Sequence, residues 1–288
     1  MQTHQLLIHG HACILQYYHF LIDFTPRMMY ALDAASCADQ SDNGTSTLYV
    51  PGWLPDNKFL LNGPSPITMR PQFDAIFSPY RLRLILLANE AQFEGLHATK
   101  IPFISHNESL WSDQPVQWLH HFRRRMRERM GAPLVVPFVP RASQMGPIVV
   151  IKRGGGSSDQ WCSGSCRRHL PEGFFDGART FGQRRNLPVV VAELEQLELA
   201  SQVGLFARAS ASVALHGAGE ANMVFMAPGT LVVELSIQDH LLLCYRRLAK
   251  KMGLRYVLEV HPAETASTDP LMWTSDIEQV LTSHLLPV

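Results

Sequence analysis

The sequence of 288 residues has no excess of charge of either sign, because Lys and Arg together number 25, as do Asp and Glu. Without a net charge the chain has no overall attraction to polyanions, so no nucleic acid is expected as a partner. It also has no apolar run approaching the roughly 20 residues that cross a bilayer, so no membrane span is expected. Residues 1–8 lack the basic flank and the apolar segment of a signal peptide.

Cysteine is scarce, with five residues at irregular spacing. An odd number at such positions does not describe a disulfide framework. Cys162 and Cys166 lie in a Gly/Ser-rich loop with no second pair to complete a zinc site. A loop disulfide or two free thiols is therefore the better interpretation, and no metal site is predicted.

The densest basic run extends from Arg123 to Arg129, after Trp118 and Leu119 at helical spacing. This pattern predicts a helix over 113–130 whose basic residues form the solvated face. A contact with a polyanion is the less favoured alternative.

Apolar runs typical of strands alternate with helical patterns in the second half of the chain. The predicted strands are 148–151, 189–191, 212–215, 231–233 and 255–260, and the predicted helices are 193–209, 219–227, 239–252 and 273–286. Such alternation predicts right-handed crossovers and a parallel sheet.

The first half is less regular. It predicts a helix over 11–36 and strands at 47–50, 82–88 and 101–104. The Pro-rich segment 133–147 is the natural boundary. We therefore expect an α/β protein of two lobes facing across a cleft, an N-terminal lobe over 1–140 and a C-terminal lobe over 141–288.

The most informative segment begins with His216-Gly217-Ala218-Gly219 at a predicted junction of strand and helix. Open α/β sheets bind ligands at such junctions, outside the carboxyl ends of their strands. Small side chains let a ligand approach the backbone, and N–H groups at the start of a helix can hold a diphosphate. Asn222 could bridge this loop to the ligand or to the opposite lobe. Glu234, predicted at a strand end, could accept both hydroxyls of a ribose.

A purely structural turn is the alternative for this segment. The Rossmann spacing Gly-x-Gly-x-x-Gly is absent, and so is a Walker A loop.

The pattern His-Gly-Ala-Gly-x-x-Asn-x-x-Phe-x-x-Pro-Gly-x-x-x-x-Glu, which spans 216–234, resembles the signature of glycosyltransferase family 61. That family includes O-linked GlcNAc transferases and plant xylan xylosyl- and arabinosyltransferases. The aromatic segment 17–27, with His19, Asp23 and Arg27, resembles an early helix of the same family. At Glu220-Ala221 the chain departs from the usual Leu-Thr.

The resemblance implies a GT-B arrangement of two Rossmann-like lobes, in which the N-terminal lobe serves the acceptor and the C-terminal lobe binds the nucleotide-sugar. It implies an inverting transfer of GlcNAc or a pentose such as xylose or arabinose from a UDP-sugar donor to a hydroxyl of a glycan or glycoprotein acceptor. The sequence has no Asp-x-Asp, so no metal and no other cofactor is expected.

The resemblance also assigns roles. Arg153, after a predicted strand, would meet the donor phosphates with its planar guanidinium, and Arg167 or Arg168 could assist it. Asp23 is the candidate base, with His19 one helical turn away. A salt bridge or a helix cap is the structural alternative for Asp23. His216 is expected to shape the phosphate turn rather than to act as a base.

Two broader alternatives remain open. The chain could use another donor or acceptor, or it could be a catalytically degenerate glycosyltransferase kept for binding or as a scaffold. We expect a soluble, cytoplasmic protein if the chain is complete, and a Golgi or ER luminal protein if a leader or an anchor is missing.

Overall fold

The computed structural model describes part of the chain, and the fold is given for these residues alone. They are 5–9, 19–38, 47–51, 70–80, 82–87, 92, 99–102, 115–132, 145–153, 170–237, 243–261, 278–279, 281–283 and 285. The chain divides into two compact units, Met1–Met126 and Arg127–Val288. The division falls inside a helix and before the Pro-rich segment, of which 133–144 lie outside the described residues.

The first unit contains a parallel sheet of four strands in the order β3-β2-β1-β4. Its strands are β1 (Gln5–His9), β2 (Thr47–Pro51), β3 (Arg83–Leu87) and β4 (Thr99–Pro102). The strand β1 is an addition to the predicted strands, because its apolar run Leu6-Leu7-Ile8 is too short to indicate a strand by itself. The sheet therefore begins before the helical segment.

The helical segment that was predicted over 11–36 contains two types of helix among the described residues. The described part begins as a π-helix, His19–Phe24, and continues as α1 (Thr25–Ala38). A π-helix closes each hydrogen bond one residue later than an α-helix, and the predicted pairing of His19 with Asp23 stays a prediction. The other helices are α2 (Arg70–Phe77) and α3 (Val116–Arg129), the second of which begins in this unit.

A polar cluster around Asp33 joins the helices of the first unit. Its carboxylate accepts hydrogen bonds from the Tyr80 hydroxyl at 2.8 Å and from Arg125 Nε at 3.0 Å, and lies 2.7 Å from His121 Nε2. Burial alone would raise the pKa of Asp33, but hydrogen bonds from Tyr80, His121 and Arg125 outweigh it and lower that pKa.

The basic run on α3 is not uniformly solvated, so the predicted solvated face is wrong for two of its members. Arg123 and Arg127 are buried, whereas Arg124 is exposed. Arg127 donates to the backbone carbonyls of Ala207 at 3.3 Å and Phe225 at 3.4 Å. Long aliphatic stems can pack while the guanidinium finds carbonyl acceptors, which a pattern of charge alone does not reveal.

The second unit is the α/β sheet that the alternation predicted. Its parallel strands have the order β6-β5-β7-β8-β9. They are β5 (Ile148–Lys152), β6 (Val189–Glu193), β7 (Ala211–Leu215), β8 (Leu231–Ile237) and β9 (Arg255–His261). The order reverses between β5 and β7, and doubly wound sheets of this order bind their ligands at that switch point.

Helices accompany the strands of this sheet. They are α4 (Glu172–Arg185), α5 (Leu199–Arg208), the 3₁₀-helix Ala218–Phe225 and α6 (Cys244–Met252). Alternate strand residues such as Val150, Val213 and Val233 pack with Phe174 and Phe181 of α4. Their neighbours in sequence, including Glu234, project to the opposite face, because side chains alternate along a strand.

Candidate active site

The centre of the candidate site is the contact between Arg153 and Gly217 at the switch point. Arg153 follows β5 directly, and Gly217 follows β7 by two residues. A Cβ atom placed on Gly217 would lie 3.4 Å from both Cζ and Nη2 of Arg153. The structure therefore brings together two of the residues that the sequence singled out, and the guanidinium lies against backbone that carries no side chain.

The two glycines of the turn have different surroundings. A Cβ on Gly219 would meet Leu194 Cδ1 at 3.1 Å and Ile151 Cγ2 at 3.4 Å. A side chain on Gly219 would therefore crowd the packing within the unit, whereas one on Gly217 would meet a cationic group. Ala218 begins the 3₁₀-helix between them and is half-buried. Of the small residues in the turn, Gly217 is the one that lies against Arg153.

Asn222 occupies a position different from the one expected. It is fully buried, and its Nδ2 donates to Gln202 Oε1 and to the Gly219 carbonyl, both at 3.1 Å. Gln202 in turn donates from Nε2 to the carbonyls of Leu194 and Leu197 at 3.0 Å. The amide of Asn222 thus links the turn to α5, and its predicted contact with the ligand or the opposite lobe stays a prediction.

His216 and Glu234 form a buried pair next to this turn. His216 Nδ1 lies 2.5 Å from Glu234 Oε1, and the hydroxyl of Tyr256 donates to Glu234 Oε2. The ring of Tyr245 meets the imidazole edge to face, with centroids 5.0 Å apart. Glu234 is 1% exposed. Both of its carboxylate oxygens are therefore engaged inside the unit.

This arrangement does not support ribose binding by Glu234. The prediction placed Glu234 at the end of its strand, but β8 continues to Ile237, so Glu234 lies within the sheet, paired in register with Ala214 and Leu258. Residues of the two adjacent strands, rather than solvent, therefore flank Glu234. The environment instead suits a residue that orients the imidazole of His216.

Glu220 belongs to the same cluster, and the sequence reasoning gave it no role. Its Oε2 accepts the N–H of Gly217 at 3.2 Å, while Oε1 is buried without a hydrogen-bond partner among the described residues. Burial and the nearby charge of Glu234 raise the pKa of Glu220 well above its usual range, although Gly217 and Arg153 act in the opposite direction. A charged residue amid small and apolar ones was the signal that could have identified it.

Other titratable groups near the cluster are held neutral. Burial and the charges of Glu234 and Glu220 raise the pKa of the Cys244 thiol to about 12. Burial, the hydrogen bond to Glu234 and the same two charges raise the pKa of Tyr256 above its usual range. These shifts indicate that the electrostatic potential here favours protonated groups.

A metal ion was not predicted, and the described residues offer one donor set to consider. His216, Glu220 and Glu234 each present a ligand atom, and these atoms lie within 4.8 Å of one another. However, both oxygens of Glu234 already accept hydrogen bonds. A cation would have to share those oxygens with His216 and Tyr256.

The proposed acceptor-side residues lie in the first unit. Asp23 is half-buried in the π-helix. Burial lowers the pKa of Arg27, and the negative charge of Asp23 opposes that shift without cancelling it. His19 begins the same π-helix. The catalytic roles of both remain predictions. Arg167 and Arg168, together with Cys162 and Cys166, lie outside the described residues.

Comparison with protein families gives the class to which this fold and site belong. The model of the family described as Glycosyltransferase 61 matches residues 17–233. The protein is a glycosyltransferase, and the chain belongs to glycosyltransferase family 61. The match includes both motifs that carried the resemblance, apart from the final Glu234. Comparison with curated protein sequences gives no match.

Solved structures that align with this chain include other glycosyltransferases. One is a family 9 glycosyl transferase from Veillonella parvula, with 9% identity, a TM-score of 0.44, and 98% of this chain and 97% of that chain covered. Another is the ADP-heptose lipopolysaccharide heptosyltransferase II of E. coli, with 13% identity, a TM-score of 0.42, and coverage of 98% and 99%. No helix in the described part of the chain is long and apolar enough to cross a membrane.

Proposed function

We propose that this glycosyltransferase uses a UDP-sugar donor, carrying GlcNAc or a pentose, and that the donor diphosphate binds where Arg153 meets Gly217. The contact of Arg153 with Gly217 carries this proposal. A guanidinium beside backbone without a side chain, at the switch point of a parallel sheet, provides charge and access for phosphate oxygens.

The proposed chemistry is a single inverting displacement. The acceptor hydroxyl oxygen forms a bond to the anomeric carbon while the bond from that carbon to the diphosphate oxygen breaks. Asp23 takes the hydroxyl proton, and the departing diphosphate keeps the bonding electron pair. Arg153 stabilises the charge that develops on the leaving group, which is the main electrostatic demand of such a reaction.

Within this proposal His216 shapes the turn and does not serve as the base. Its Nδ1 is committed to Glu234, and Tyr245 packs against the ring. A ring held on two sides is suited to fixing the path of the backbone into Gly217. We therefore assign Glu234 and Tyr256 to positioning His216.

The proposal includes a GT-B arrangement in which the first unit serves a glycan or glycoprotein acceptor. It also includes donor binding without a metal, since the sequence lacks Asp-x-Asp and Arg153 supplies the cationic group. Loss of donor binding on EDTA treatment, with recovery on addition of Mn²⁺, would contradict the second point.

The direct test is a screen of nucleotide sugars for transfer and for hydrolysis, with release of the nucleoside diphosphate as the readout. Arg153→Gln is the test variant, and Arg179→Gln, an exposed arginine on α4, is the matched control. We expect one or more UDP-sugars to be turned over by the wild type and by Arg179→Gln, and far more slowly by Arg153→Gln. Equal rates for all three proteins would place the donor elsewhere.

A further inference from the structure

Glu220 is an unusual residue to find beside a diphosphate site. It is 3% exposed, one carboxyl oxygen takes the N–H of Gly217, and the other has no hydrogen-bond partner among the described residues. The Gly217 N–H was expected to be available to phosphate, but here it is directed to a carboxyl group. An ionised Glu220 would repel the anion that the proposed function places next to it. The following inference therefore rests on that function.

Five titratable groups lie near Glu220 among the described residues. They are Arg153 after β5, His216 after β7, Glu234 on β8, Cys244 on α6 and Tyr256 on β9. The helix α5 faces the turn with Gln202, which is uncharged. Among these groups Arg153 opposes the repulsion between Glu220 and Glu234 and does not overcome it. Two buried carboxylates this close cannot both ionise readily.

Either a metal ion or a proton could remove this excess of negative charge. A metal would have to share the Glu234 oxygens with His216 and Tyr256, which already hydrogen-bond to them. A proton on Glu220 needs no added ion. It also turns the unpartnered oxygen into part of a neutral carboxylic acid, whose burial is far less costly than that of a carboxylate.

We propose that Glu220 is a neutral carboxylic acid within the turn, and that the turn accepts a phosphate group of the donor only while Glu220 holds its proton. Glu220 is then a specificity residue that links the binding of an anionic ligand to pH. Below the pKa of Glu220 in the free protein, donor affinity is insensitive to this group. Above that pKa the affinity falls by about tenfold per pH unit, because each binding event must also take up one proton.

The test measures the proton and the ligand separately. Infrared difference spectra of wild type against Glu220→Gln at neutral pH should show the carbonyl band of a protonated carboxyl group that the variant lacks. Glu195→Gln, an exposed glutamate in the same unit, is the matched control and should leave that band unchanged. If Glu220→Gln does not fold, Glu220→Leu serves the same comparison.

UDP binding is then titrated by calorimetry from neutral to alkaline pH. We expect the UDP affinity of wild type and of Glu195→Gln to fall as the pH rises. The UDP affinity of Glu220→Gln should stay nearly constant over the same range. A missing carboxyl band, a stoichiometric metal in the purified protein, or equal pH dependence in all three proteins would overturn the inference. If no nucleoside diphosphate binds the wild type at any pH, the proposed donor site fails too, whereas binding without the pH difference refutes only the role of Glu220.

Discussion

His216 Nδ1 lies 2.5 Å from Glu234 Oε1, which joins the end of β7 to β8. The Tyr256 hydroxyl donates a hydrogen bond to the other oxygen of the Glu234 carboxylate. The imidazole at the entrance of the turn is thus held from within the sheet. This pair ties the path of the backbone at Gly217 to the interior of the unit.

Glu234→Gln should lower the free energy of unfolding by about 1.5–3 kcal/mol, because a buried hydrogen bond to a charged group is lost. Tyr256→Phe should cost less within that range, since it removes one of the two hydrogen bonds to Glu234 and leaves the histidine contact in place. Denaturant unfolding of both variants provides the measurement. If Tyr256→Phe lowered the free energy of unfolding more than Glu234→Gln did, the predicted ranking of these two substitutions would be wrong.

The pH dependence of stability should reveal the Asp33 cluster. Because the folded-state pKa of Asp33 is lowered, its contribution is fully present above its pKa in the unfolded chain, about 3.9, and is lost as the pH falls through the folded-state value. We expect wild type to be more stable than Asp33→Asn near neutral pH, and the difference to shrink as the solution is acidified. An unchanged difference across that range would contradict the assigned contacts.

Asp23→Asn separates catalysis from binding. If Asp23 is the base, the variant should keep its donor affinity and lose about 10²–10⁴-fold in kcat, because the base acts only on the acceptor hydroxyl. Asp74→Asn, an exposed aspartate on α2, is the control. An unchanged kcat together with lower stability would instead assign Asp23 to its electrostatic interaction with Arg27.

The sequence predicted the parallel sheet of the second unit and the place of His216 and Gly217 at the end of β7. Regular alternation and small residues are local signals, so both features can be recognised in one sequence. The contact of Arg153 with Gly217 depends on the strand order, which places β5 beside β7. The prediction that both face a diphosphate rests on the small residues before a helix start and on the family resemblance.

Other features of the site could not be predicted from local patterns. Asn222 faces Gln202, and Glu234 lies inside β8 because that strand runs three residues beyond it. A polar residue in a motif gives no sign of whether it faces a ligand or a neighbouring helix. Glu220 was overlooked because its importance arises from the charge of Glu234, a residue fourteen positions away that only the folded sheet brings near.

The central claim is that the donor diphosphate lies against Gly217 and Arg153. Gly217 has an extended backbone with φ of 173°, which any residue can adopt, and a Cβ there would make an ordinary contact at 3.4 Å. Gly217→Ala should therefore fold normally. The further methyl groups of Gly217→Val would fill the space beside the guanidinium and displace it.

The decisive measurement is the stabilisation of wild type, Gly217→Ala, Gly217→Val and Arg153→Gln by UDP. At about 100 times its dissociation constant, UDP should add roughly 2.7 kcal/mol to the unfolding free energy of the wild type. We expect a smaller gain for Gly217→Ala and almost none for Gly217→Val and Arg153→Gln, with all four proteins folded without ligand. If UDP stabilised folded Gly217→Val and Arg153→Gln as much as the wild type, this result would contradict the account. The donor would then bind away from this turn.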